Sequence, residues 1–431
     1  TKKRRTYAIN KYKANIMKKF LTTILFLALV TITAIAIIPS QEVISIEGRV
    51  EDASTGKPLS FASIHLLNTN ISNVTNADGN FLLKIPRSIK ADTVMVSYLG
   101  YRSARVAVND FFSKKFLISL EPSIVFIGPV TIRPQDALSI LKMAYARVPE
   151  NYSATTKQMT AFYREMIQKR NRYVSINEAV LDVTKAPYKG YKSDQIGIYK
   201  ARGNYDINRL DTLLIKFQGG PNSALDLDIV KDPFLGIQLI MLDKIYDFKF
   251  GNPVTLADRF FYVIEFDQKE NTADVYFRGR VYIDAETFAI GRAQFAMNVE
   301  GNKEANSYFI KKKPAKLNMD VLSANYLVNY KIIDSLWFFD YSRTEVKFNS
   351  KWKGKWFSNE YTISSEIAVT DISDTERKIE KQNRIRSKDI ISNKVKDFTD
   401  QDFWEDYNII EPDASIDKVI SRIIKQLRKR Q

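Results

Sequence analysis

Ile46-Glu-Gly-Arg-Val-Glu-Asp-Ala-Ser-Thr-Gly-Lys-Pro-Leu59 opens the part of the chain whose reading decides the fold. Ile44, Ile46, Gly48 and Val50 alternate with Ser45, Glu47 and Arg49, the period of a half-buried strand. Asp52 to Pro58 then concentrates turn formers, and Phe61 to Leu67 supplies a second strand. Asn76-Ala77-Asp78-Gly79-Asn80 is the strongest turn signal, because Gly79 accepts a positive φ, and it leads into the strand Phe81 to Pro86. Thr93 to Tyr98 and Lys115 to Leu120 continue the series. Short strands at roughly ten-residue spacing with turns between them read as an all-β sandwich.

The order Ile46 to Leu59, Thr75-Asn-Ala-Asp-Gly-Asn-Phe81 and Ser97-Tyr-Leu-Gly-Tyr101 resembles the carboxypeptidase regulatory-like domain. That resemblance implies a transthyretin-like sandwich of about seven strands. It also implies an accessory module, of the kind found at the front of bacterial envelope proteins and uptake receptors. The implied boundaries are residues 42–121.

Upstream, Phe20 to Ile38 is apolar and uncharged and follows Met17-Lys18-Lys19, the layout of a secretory signal. Cleavage is expected after Ala36 or Ser40; the alternative is a retained inner-membrane anchor at residues 20–38. Residues 1–16 precede a plausible start at Met17 and receive no structural role, so residues 1–40 are read as basic extension plus signal. This region also explains much of the charge. The formal net charge is +16, yet eight of the 65 Lys and Arg precede Phe20 and no acid precedes Glu42. The remaining 57 basic residues face 49 acids with no basic reading helix, which argues against a nucleic-acid partner.

A second domain is expected over residues 133–371. Pro134 can sit at N1 of a helix through Val148, stopped by Pro149, with Ala137, Leu141, Ala144 and Val148 on one apolar stripe. β-rich sequence follows: paired strands Met159 to Gln168 and Tyr173 to Lys185, then Phe260 to Asp267, Asp274 to Asp284, Phe288 to Asn298, Tyr326 to Ile333, Leu336 to Phe348 and Trp356 to Val369. Short joints favour antiparallel neighbours. Asn204 to Asn252 is expected to supply helices or crossovers that cover the sheet. The hairpin phrase Gly279 to Ile290 is similar to hairpins of outer-membrane lipoprotein-sorting carriers, which implies a half-barrel around an apolar cavity. The layout of module, helix and β-rich region also resembles envelope proteins that begin this way, some of which continue into an outer-membrane barrel. The strands here lack the aromatic-girdle pattern of such a barrel. The fold class is therefore mainly β: a transthyretin-like sandwich, a helix-led antiparallel sheet or half-barrel, and a C-terminal helical tail.

The tail, residues 372–431, starts as a charged stretch to Phe398, read as exposed helix or linker. Phe403, Trp404 and Tyr407 then stand in a polar setting and are the candidate docking residues, for the β domain or for a partner. The last helix puts Ile416, Val419, Ile420, Ile423, Ile424 and Leu427 on one face among basic residues, a face suited to its own protein or to a membrane surface.

The chemistry-bearing residues are sparse. There is no cysteine and His65 is the only histidine, which removes disulfides, thiolate chemistry and Cys-based zinc sites. Asn76, Asp78 and Asn80 alternate as calcium ligands do, but Phe81 to Lys84 brings no acid, so they are read as a turn. His65 is read as a packing residue. No H-E-x-x-H, G-x-S-x-G or P-loop phrase occurs. Strand acids Glu165, Glu178, Asp182, Glu265 and Asp267 leave a glycosidase-type pair open, with solvent exposure the expected state of each. No catalytic, cofactor or metal residues are assigned. The sequence reading is a non-enzymatic envelope protein that binds or scaffolds proteins or glycans. Its alternatives are a lipid carrier and a glycan-acting hydrolase.

Overall fold

The structure is a computed structural model that describes residues 43–112, 116–123, 136–190, 192–205, 220–270, 274–302, 304–309, 315–389, 391, 394, 404 and 406–428. The calls on residues 1–40, on Pro134 and on Phe403 lie outside them. The chain divides into two compact units: residues 1–44 with 86–88, and residues 45–85 with 89–431. The second unit holds nearly all the described secondary structure.

Seven strands form the sandwich: β1 (Val43–Asp52), β2 (Ser63–Leu66), β3 (Ser72–Val74), β4 (Asn80–Pro86), β5 (Thr93–Ser97), β6 (Ala104–Ala107) and β7 (Phe116–Leu120). One sheet has the order β4-β1-β7 and the other β3-β2-β5-β6, with β1 and β7 parallel through Gly48↔Phe116 to Asp52↔Leu120. Alternation does the sorting: Ile46 and Val50 of β1, Phe81 and Leu83 of β4, and Val94 and Val96 of β5 are all buried. Gly79 has φ +76°, and a Cβ there would stand 2.5 Å from the Val50 carbonyl oxygen, so only glycine closes this turn against β1.

Twelve strands build the large sheet: β8 (Lys157–Lys169), β9 (Arg172–Lys185), β10 (Gln195–Tyr205), β11 (Tyr246–Phe250), β12 (Val254–Leu256), β13 (Arg259–Gln268), β14 (Phe277–Asp284), β15 (Ile290–Met297), β16 (Leu317–Ile333), β17 (Leu336–Trp352), β18 (Asn359–Ser373) and β19 (Arg384–Ile385). Their order is β11-β13-β14-β15-β16-β17-β18-β8-β9-β10-β19, with β12 also on β13. Every pairing within it is antiparallel, and among the described residues the two ends do not close into a barrel.

The first face of this sheet is covered by helix α1 (Ala137–Ala146) and by the short helical turns between Pro221 and Ile245. Asp136 caps α1, its side chain accepting from the Ser139 N–H. Ala137, Ile140, Leu141, Ala144 and Tyr145 turn inward, and burying a side chain such as Leu141 stabilises by about 1.5–3 kcal/mol. Pro149 does not end the helical stretch. It occupies the first turn of a further short helix, Val148–Asn151, where its missing N–H is harmless.

The tail departs from its sequence reading. Among the described residues the stretch after Asp371 carries no α-helix before Ala414, only Ile391 in a 3₁₀ turn. Instead β18 runs on to Ser373, and β19 pairs with β10 through Ile196↔Ile385. Helix α2 (Ala414–Arg428) follows, with Ile416 and Ile420 packed on Met166 and Ile176 of β8 and β9.

Candidate functional site

The second face of the large sheet is organised by charge. Residues facing one another across the ladders form a row: Lys249 on β11, Glu265 on β13, Arg280 on β14, Gln294 on β15, Leu327 on β16, Arg343 on β17, Glu366 on β18, Arg164 on β8, Glu178 on β9 and Arg202 on β10. Directly opposed residues share a face, so opposite charges bond sideways along the row. The contacts are Lys249–Glu265 at 3.4 Å, Arg280–Glu265 at 2.9 Å, Arg343–Glu366 at 3.1 Å, Arg164–Glu178 at 2.8 Å and Arg202–Glu178 at 2.8 Å.

One half of the row is sealed by the chain itself. The Arg164 Nη2 donates to the Ile410 carbonyl at 2.6 Å, and the Arg202 guanidinium lies 4.8 Å from the centre of the Trp404 ring. Val74, Phe162, Val180, Tyr341, Ile409 and Ile410 pack around them. The sandwich and the tail are tied to each other as well. Asn408 Oδ1 accepts from the Lys84 N–H and its Nδ2 donates to the Lys84 carbonyl, while Asn73 Nδ2 donates to the Ile409 carbonyl. Asn408→Ala is expected to lower unfolding stability by about 1–2 kcal/mol, read from urea midpoints.

The other half of the row is open. Between it and the Ser60, Phe61 and Tyr98 side of the sandwich runs a groove of about 790 Å³. Its floor carries Arg278, Arg280, Arg292 and Gln294, with Glu265, Asp267 and Glu345 also on its lining and Tyr98 on the sandwich side. Gly279 sits in the middle of the floor, where a Cβ would fall 2.3 Å from the Gln294 carbonyl oxygen and 2.6 Å from the Phe295 Cα. At the inner end, Phe61 holds φ +62°, uncommon for a bulky residue, and stacks on Tyr341 with centroids 5.7 Å apart. The Arg343 guanidinium also lies over the Phe61 ring, 4.9 Å from its centre.

Arg292 is the unusual member. It makes no ion pair or hydrogen bond with the described residues, and its Nε is shut off from solvent without a partner. Burial pulls the guanidinium below the usual arginine range. Tyr282 on β14 and Asn329 on β16 face it across the ladders, and neither is an acid. The side chain as a whole is half-buried at the groove floor, with the Nε shut away from water.

The acids do not assemble general acid–base chemistry here. Burial alone would raise Glu265, but its bonds to Arg280 and Lys249 hold the carboxyl below its ordinary value, the wrong direction for a proton donor. Glu178 and Glu165 correct the expectation that strand acids face solvent, since both are buried. Asp182 pairs with Arg377 at 2.9 Å. Among the described residues no group of three or more His, Asp and Glu is placed to hold a metal. The Asn76 turn works as a turn: its Oδ1 accepts from the Asp78 and Asn80 amides, and Asp78 Oδ2 accepts from the Ala414 N–H at the start of α2. His65 Nε2 lies 3.0 Å from the Thr69 carbonyl oxygen within its own hairpin.

Of the candidate docking residues, Trp404 is 4% exposed and meets Phe162 edge-on at 5.5 Å. Tyr407 is half-buried against Tyr199 at 4.9 Å. Among the described residues the apolar interior on the first face leaves a gap of about 10 Å³ lined by Phe234, Phe266, Phe277 and Phe295. The charged row and the setting of Arg292 were invisible in the sequence, because each links residues far apart in the chain whose opposition depends on strand register. The one local signal was a basic and polar alternation around the Gly279 hairpin.

Residues 46–131 match the CarboxypepD_reg-like domain family. No curated protein matches the chain. Among solved structures, a DUF1329 family protein from Desulfovibrio piger is 12% identical, with 56% of this chain and 92% of that one covered and a TM-score of 0.24. A LolA superfamily protein from Nitrosomonas europaea is 11% identical over 58% and 99% of the two chains, at a TM-score of 0.24. MucB in complex with MucA is 10% identical over 56% and 100%, at a TM-score of 0.19. None of these matches is to an enzyme family. TM-scores this low establish no shared fold, and the functional reading rests on the groove.

Proposed function

We propose that this is a non-enzymatic envelope protein that binds an extended, anionic peptide or glycan in the groove between the sandwich and the open half of the charged row. The observation that carries the reading is Arg292, a cation at the groove floor with no counter-charge from the described residues. Tyr98 on the sandwich side offers a stacking surface, and the exposed Arg278 adds a second cation beside Arg292. The chain is exported, on this reading, and works in the periplasm or at the outer-membrane periphery. Support comes from the signal-like residues 20–38 and the regulatory-like module.

The test is photocrosslinking in cells from benzoylphenylalanine placed at the exposed Arg278, with the exposed Leu117 as control position. A discrete adduct from position 278 alone is expected. Arg292→Gln should cut its yield roughly tenfold or more, since it removes a charge-assisted bond. The same substitution should leave the unfolding stability of the free protein unchanged or slightly raised, because it removes a half-buried charge with no partner among the described residues. An adduct indifferent to Arg292→Gln would sink the proposal. Native mass spectrometry before and after organic extraction separates the carrier reading: a bare polypeptide mass is expected here, and a lipid-sized loss would favour carriage.

A further inference from the structure

The hairpin joining β17 to β18 ends in Lys351-Trp-Lys-Gly-Lys-Trp-Phe357, and it points its apolar rings at solvent. Trp356 is 93% exposed and Phe357 81%, the largest exposures among the large hydrophobic side chains. Neither ring contributes to a described apolar cluster, so the fold gives no reason for two aromatic residues here.

The surroundings are cationic. Lys351, Lys353 and Lys355 are exposed and make no salt bridge with the described residues. The Lys353 N–H donates to the carbonyl of the exposed Lys316 at 2.8 Å, which brings a fourth ammonium to the tip. The β8–β9 turn lies alongside: the Arg170 N–H donates to the Glu360 carbonyl at 3.0 Å and its Nη2 to the Ser358 carbonyl at 3.0 Å. Exposed Arg172 follows on that turn. Among the described residues Glu360 on β18 and Asp320 on β16 are the exposed acids on the adjoining strand ends.

We infer that this end of the sheet docks on an anionic lipid bilayer. Trp356 and Phe357 enter the headgroup boundary, and the lysines and arginines around them meet lipid phosphates. Aromatic rings with one wet edge sit at that depth, and basic residues beside them add attraction to negative lipid. A neutral glycan would use the rings but not the ring of cations, and an apolar protein groove would not match six positive side chains. Charge complementarity therefore selects the anionic membrane surface. The site lies apart from the groove, and the inference does not depend on the groove's ligand.

The full chain contains the apolar residues 20–38, which can hold it on any vesicle, so the readout must be Trp356 itself. Tryptophan fluorescence of wild type and of Trp356→Phe is compared on vesicles whose acyl chains are brominated, made of phosphatidylglycerol or of phosphatidylcholine. Quenching is expected for wild type on phosphatidylglycerol and should fall in Trp356→Phe to the residual signal of half-buried Trp352, because Trp337 and Trp404 are buried. The triple variant Lys351→Glu, Lys353→Glu, Lys355→Glu should need on the order of a hundredfold more phosphatidylglycerol for half-quenching. All its substitutions are on exposed residues, Lys351 at the end of β17 and Lys353 and Lys355 in the turn, and an unchanged urea midpoint confirms folding. Equal quenching of wild type and Trp356→Phe would overturn the inference. So would equal quenching on both lipids, or a Trp356 spectral shift with soluble oligosaccharide and none with vesicles.

Discussion

Glu178→Ala should lower the free energy of unfolding by about 3–5 kcal/mol, the typical loss when one partner of a buried ion pair is deleted. Glu178 is 0% exposed and bonds both Arg164 and Arg202 at 2.8 Å, so its removal strands two buried guanidinium groups. Urea unfolding at neutral pH checks the value; a loss below about 1 kcal/mol would mean that Glu366 and the Ile410 carbonyl compensate Arg164 by themselves. Burial alone would raise the Glu178 carboxyl, but Arg164 and Arg202 outweigh it and hold it below its ordinary value. A group with a depressed folded pKa stabilises above its unfolded value, and that stability disappears as pH falls through the folded one. The wild type should therefore lose stability on acidification more steeply than Glu178→Ala, whose deficit should shrink as pH falls.

Glu165 carries the opposite pH dependence. Burial pushes its carboxyl up from the ordinary 4.5 to about 7, against the hydrogen bonds from Tyr163 Oη at 3.2 Å and Asn177 Nδ2 at 3.4 Å. The native state then binds a proton that the unfolded chain has released. Stability from this group is full below about 4.5 and is lost as pH rises through about 7. Glu165→Gln keeps the shape and removes the titration, so it should stabilise the protein at pH 8 by up to about 3 kcal/mol and change little at pH 4. Unfolding curves at those two pH values decide it, and equal effects at both would show that the carboxyl is not titrating in this window. Neither carboxylate touches the groove, so both variants leave the crosslink from position 278 intact if the proposed function holds.

Much of the fold was legible from local pattern. The Gly79 turn, the alternation of Ile46 and Val50, and the stripe of Ala137, Leu141 and Ala144 each state a period or a backbone conformation that neighbouring residues enforce. The hairpins β8–β9 and β17–β18 were legible for the same reason, since a short polar joint between two alternating runs leaves few alternatives. What escaped was β3 and β6, of only three and four residues, together with β10 and with β11, which lies in the stretch read as helices or crossovers. The charged stretch after Asp371 reads as helix or linker because pairing β19 with the edge of β10 depends on a strand about 190 residues away. Phe61 sits in a strand-like run, yet it takes a positive φ and stacks on Tyr341, 280 residues on, which no local pattern records.

The sequence by itself determined the strand and helix periods, the tight turns, the absence of cysteine chemistry and the identity of the first module, all consequences of residues close in the chain. Only the tertiary structure decided which face each charge occupies, because register across ten strands sets Glu178 between two arginines and leaves Arg292 opposite Tyr282 and Asn329. A one-residue slip in any of those ladders would send the charge to the other face, and no local signal records that choice. The tail's docking over Arg164 and Arg202 then divided one continuous row into a sealed half that stabilises and an open half that can bind.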